Sequence, residues 1–78
     1  MFYVYILLLS DSTHYIGFTE NLKKRIENYH LKDKVSHTKF LNAKLIFYAA
    51  FISKLKALHF EKYLKTPSGF AFRNKRLI

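Results

Sequence analysis

The chain has 78 residues, half of them hydrophobic, with eight Phe, six Tyr and no cysteine. A single domain over residues 1–78 is expected, and the missing cysteines exclude disulfides, thiolate zinc sites and Cys nucleophiles. Fourteen Lys and Arg against five Asp and Glu leave a formal net charge of +9, which calls for a polyanionic partner, either nucleic acid or an acidic membrane surface.

Phe2 to Leu9 is apolar on both alternations, which predicts a central strand covered on both faces. The run lacks a basic flank and a small-residue cleavage site, and it falls far short of the ~20 residues that span a bilayer. Neither a signal peptide nor a membrane anchor is therefore expected, and a disulfide-free domain suits the reducing cytoplasm. Ser10 to Thr13 is a turn cluster, and His14 to Phe18 completes a hairpin as the second strand. Gly17 inside that strand signals a bulge or the close approach of another backbone or a ligand.

Thr19 is expected to cap a helix with Glu20 in its first turn. Leu22, Ile26 and Tyr29 form its inward stripe, while Lys23, Lys24 and Glu27 point elsewhere. Residues 33–43 are polar and irregular, and Lys44 to Ile52 reads as the third strand. Ser53 then caps a helix to about Lys65, with Ala57, Phe60 and Leu64 on one side and Lys56, His59 and Lys62 opposite. Thr66-Pro67-Ser68-Gly69 ends it, and Phe70 to Leu77 forms a last helix, basic through Arg73, Lys75 and Arg76. The whole predicts an α/β fold, a small three-stranded antiparallel sheet flanked by helices in the order ββαβαα.

No Lys or Arg precedes Lys23, so the charge is confined to helices and loops and suits one basic face beside a cleft. Lys23, Lys24, the segment with Lys34, His37 and Lys39, and the tail residues Arg73, Lys75 and Arg76 are read as phosphate contacts. These would give salt-dependent, sequence-independent binding. His14, His37 and His59 lack the spacing of zinc ligands.

The sharpest signal is Tyr3-Val4-Tyr5 on the first strand, followed ten residues after Tyr5 by Tyr15-Ile16-Gly17 on the second. Asn21-Leu22-Lys23-Lys24-Arg25-Ile26 comes next, then Ala57 to Lys65 around Glu61, then Gly69 to Leu77. In this order the segments resemble the GIY-YIG nuclease family over essentially the whole chain, in the form of its small stand-alone members. Tyr3 stands where the first tripeptide has glycine. Phe18 stands where relatives of the DNA-repair type often place lysine. Tyr29, followed by His30, resembles the arrangement of the nucleotide-excision-repair incision subunits, which leaves His30 as a surface histidine.

The resemblance implies a metal-dependent endonuclease acting on DNA more than RNA, in repair or recombination. It assigns Tyr5 to orienting or deprotonating the attacking water, and Tyr15 and Tyr29 to positioning water and phosphate. Arg25 would stabilise transition-state charge, and Glu61 would hold one Mg²⁺ or Mn²⁺. The chemistry agrees on its own terms. Phosphodiester hydrolysis needs a deprotonated water and charge relief at phosphorus. Mg²⁺ accepts a single carboxylate when water and phosphate supply its other ligands, and Arg suits bidentate phosphate contact. Taken singly, Arg25 also reads as a solvated charge, Tyr5 and Tyr15 as core aromatics, and Glu61 as the partner of a Lys or Arg. Two rivals follow: a catalytically silent basic nucleic-acid binder or partner-recruiting domain of the same fold, and an RNA-binding sheet that exposes Tyr3 and Tyr5.

Overall fold

Val4, Tyr5, Ile6 and Leu7 are sealed from solvent one after another, so their strand has to be covered on both faces and flanked on both edges. A computed structural model describes residues 1–31 and 43–78, the side chains of 28–31 excepted. Strands β1 (Phe2–Leu8), β2 (His14–Thr19) and β3 (Lys44–Phe51) form one sheet in the order β2-β1-β3, both pairings antiparallel. The expected ββαβαα order is completed by α1 (Leu22–Leu31), α2 (Lys54–Leu64) and α3 (Pro67–Arg76). The hairpin closes where Ser12 takes a left-handed φ of 70° and the Leu9 amide donates to the Thr13 carbonyl at 2.8 Å. Asp11 Oδ1 accepts from the Thr13 amide at 3.0 Å, the turn chemistry that its side chain favours.

Strand alternation divides the core in two. Val4, Ile6 and Ile16 face one way and pack with Ala57 and Leu64 of α2, ringed by Phe2, Phe18 and Phe60. Tyr5, Leu7 and Leu9 face the other way and pack with Leu22 and Ile26 of α1. Each fully buried aliphatic side chain contributes about 1.5–3 kcal/mol by leaving water, so both helix layers are anchored through β1.

Three local readings change. Thr19 is the last residue of β2 and buried, not a helix cap, because it stays in the ladder opposite Tyr3. The cap is Asn21: its Oδ1 accepts from the Lys24 amide at 3.0 Å and its carbonyl from the Arg25 amide at 3.0 Å. The last helix begins at Pro67 rather than Phe70. Thr66 caps it by accepting from the Gly69 amide at 3.1 Å, and proline is pre-organised for a first helical position. A Cβ at Gly69 would strike the Tyr63 carbonyl, so glycine is what lets α3 turn back closely on α2.

The third change concerns charge. Four residues after buried Gly69, Arg73 lies on the inward side of α3 and is only 6% exposed, whereas Phe70 and Phe72 are exposed. Its guanidinium sits 4.2 Å over the Phe70 ring, and its Nε finds no hydrogen-bond partner among the described residues. Burial removes Arg73 from the expected phosphate contacts.

Candidate active site

The site starts from a missing side chain. Gly17 stands directly across from Tyr5 in the β1–β2 pairing, and any Cβ there would run into the Tyr5 phenol. What comes close at Gly17 is not the expected backbone or ligand but that side chain, which lies across the neighbouring strand. Tyr15, two residues earlier on β2 and on the same face, packs its ring 6.3 Å from that of Tyr5 at 44°. Tyr5 is fully buried and Tyr15 is 36% exposed, so one forms the floor and the other the rim.

Helix α1 supplies the cation. Ile26 packs into the Tyr5 cluster, which brings the preceding residue to the edge of the sheet. From there Arg25 Nη1 donates to the Tyr5 hydroxyl at 3.5 Å. That is long for a hydrogen bond, and it places a permanent positive charge beside a hydroxyl that accepts from it. A planar guanidinium next to an open rim is suited to an anionic oxygen.

The other expected residues fall in different places. Glu61 lies on α2, which packs on the sheet face opposite to Tyr5. Its side chain is 20% exposed, and Oε2 accepts from Lys65 Nζ at 3.0 Å. The ion-pair reading of Glu61 is thus realised. Lys23 and Lys24 are exposed on α1, and Lys75 and Arg76 are exposed at the end of α3. The described basic residues are therefore spread over helices on both faces, not gathered on one. Tyr29 belongs to α1, but its side chain lies outside the described residues, as do Lys34, His37 and Lys39. Phe18 stacks on Phe2, centroids 6.3 Å apart, within the α2-side cluster. His14 is held below the ordinary histidine value of 6.5, first by burial and then by the charge of Arg73.

Among the described residues no group of three His, Cys, Asp or Glu could enclose a metal ion. Glu61 does fit a looser arrangement. It is a half-buried oxygen donor whose partner, Lys65, is 54% exposed and cheaply displaced, as a Mg²⁺ that keeps most of its waters requires.

The profile of the GIY-YIG catalytic domain matches residues 1–76. The chain is a member of the GIY-YIG family. Its relatives include a UPF0213 protein of Limosilactobacillus reuteri, 34% identical over 67 residues that cover 82% of this chain and 70% of that protein. Another is a UPF0213 protein of Lactiplantibacillus plantarum, 33% identical over 73 residues, 90% of this chain and 72% of that one. A UPF0213 protein of Streptococcus pyogenes is 34% identical over 64 residues. No solved structure matches significantly. Membership implies a nuclease-type activity on nucleic acid, and the GIY-YIG tyrosines are the pair that the fold brings together at Gly17. Full burial of Tyr5 removes the rival in which this residue is an exposed base-stacking platform. Among the described residues no helix is long and apolar enough to cross a membrane.

One contributor was missed in the sequence. Asn21 sets the start of α1 and thereby the phase at which Arg25 reaches Tyr5. The available signal was an Asn three residues before Lys24, with no proline or glycine between.

Proposed function

We propose that this chain is a metal-dependent endonuclease that hydrolyses DNA phosphodiester bonds in repair or recombination. The observation that carries the reading is the contact of Arg25 with the buried hydroxyl of Tyr5, beside the rim formed by Tyr15. In this reading the scissile phosphate meets the Arg25 guanidinium, which stabilises the charge that develops on the phosphate oxygens. The Tyr5 hydroxyl orients the attacking water and, once it has given up its own proton, takes up that of the water, while Tyr15 and Tyr29 hold water and phosphate in line. Glu61 would hold a single Mg²⁺ or Mn²⁺, which supplies Lewis-acid charge relief when bound. Displacement of Lys65 from Glu61 frees that carboxylate, at little cost to the lysine because its side chain is more than half exposed. Lys23, Lys24, Lys39, Lys75 and Arg76 add phosphate contacts along the strand.

A second reading has its own support. Glu61 is occupied by Lys65 on a helix packed against the opposite sheet face, and Phe18 replaces a lysine of repair-type relatives. A basic domain of this fold that holds nucleic acid without cutting it would look the same. Cleavage of labelled single-stranded, branched and duplex DNA, with Mg²⁺ or Mn²⁺ and with chelator, separates the two. Metal-dependent cutting that disappears in Glu61→Gln supports the nuclease. Salt-sensitive binding without cutting in any metal supports the silent binder.

A further inference from the structure

On the α1 side of the sheet an open groove of about 540 Å³ runs between α1 and β3. This is within the ~300–1,000 Å³ of sites that hold small molecules. Its floor is aromatic. Tyr48 stands directly opposite Tyr5 in the β1–β3 pairing, and its ring lies 6.3 Å from that of Tyr3 at 59°. Tyr48 is 55% exposed, although it is a large ring on the covered face of a sheet. Ile26, the neighbour of Arg25, forms part of the wall, so the groove adjoins the helix that carries the arginine.

The rim decides what fits. Glu20 and Glu27 line the groove together with Lys23. Two carboxylates repel a phosphate but accept hydrogen bonds from the amino and imino groups of a nucleobase. An uncharged, flat group with N–H donors is complementary to tyrosine rings below and carboxylates beside it. A base inside a duplex offers neither its face nor its pairing edge, so the occupant has to be unpaired.

We propose that Tyr48, with Tyr3, is a base-stacking shelf that selects unpaired DNA, receiving a base of the strand whose phosphate meets Arg25. The inference rests on the nuclease reading and adds its substrate class.

The test is equilibrium binding by fluorescence anisotropy in chelator, so that nothing is cut. Two labelled single strands of equal length and charge are compared, one bearing bases and one fully abasic. Stacking on one aromatic ring corresponds to roughly 5- to 150-fold in affinity. The wild type is expected to prefer the base-bearing strand by that factor, Tyr48→Ala to lose the preference, and Tyr48→Phe to keep it. Tyr48 is exposed, so its truncation leaves the core intact. Equal binding of both strands by the wild type, or an unchanged preference in Tyr48→Ala, overturns the shelf while leaving the phosphate site standing. Binding of neither strand overturns the nucleic-acid reading itself, and the shelf with it.

Discussion

Arg25 and Tyr5, twenty positions apart in the chain, meet at 3.5 Å because α1 lies on the sheet face to which the buried tyrosine points. The pair combines a rigid core group with a charged group at the surface. Core packing and catalysis can therefore be separated at Tyr5. Tyr5→Phe keeps the ring and removes only the hydroxyl, so the folded state should lose no more than about 3 kcal/mol, the upper range for a hydrogen bond to a charged group. Cleavage should fall far more. Tyr5→Ala should lose roughly 3–5 kcal/mol through the cavity it opens. Urea midpoints beside turnover rates distinguish the two.

Gly17→Ala is expected to damage fold and site together. An alanine in a strand ordinarily gains from reduced freedom of the unfolded chain, but here the added methyl meets the Tyr5 phenol. Shifting a fully buried ring costs roughly 1–3 kcal/mol. The variant should melt earlier and cut more slowly, and a melting point at or above wild type would contradict this account of the glycine.

Glu61→Gln should barely change stability. Its ion pair with Lys65 joins two residues one helical turn apart, one of them mostly exposed, and such pairs contribute about 0.3–0.5 kcal/mol. If the carboxylate serves a metal, the same variant should abolish Mg²⁺-dependent cleavage. Lys65→Ala should then retain or raise activity at limiting metal. Thermal melts beside a metal titration of activity read both effects.

Stability should decline as the medium becomes acid, by way of His14. Burial and Arg73 lower its proton affinity in the folded chain, so the unfolded chain takes up a proton first. The folded state is therefore at full strength above the ordinary value of 6.5 and weakens as pH falls through it. Urea midpoints between about pH 8 and about pH 5 should drop for the wild type, and the decline should be shallower in His14→Gln. Equal slopes would remove His14 from the acid response.

Much of this was legible in the chain. Apolarity on both alternations placed β1 at the centre, and the two tyrosines and Arg25 singled out by the family resemblance lie together. What the sequence hid were choices between equal local signals. Thr19 and Asn21 both cap helices well, and only pairing with Tyr3 keeps Thr19 in the sheet. Pro67 reads as a stop for one helix and equally as the start of the next, which shifted the phase of α3 and turned Arg73 inward. The inward stripe of Ala57, Phe60 and Leu64 on the helix of Glu61 was foreseen, but the sheet face on which that helix packs is a tertiary fact that periodicity does not encode.

The most direct test of the central claim is the single-turnover rate of single-stranded DNA cleavage by the wild type, Arg25→Ala and Arg25→Lys under saturating Mn²⁺. Loss of one preorganised group that stabilises transition-state charge costs roughly 10²–10³ in rate. Arg25→Ala should show that loss while the chain stays folded, with a stability change comparable to that of Tyr5→Phe, and Arg25→Lys should recover part of the rate. Wild-type turnover in Arg25→Ala would contradict an active site built on Arg25 and Tyr5.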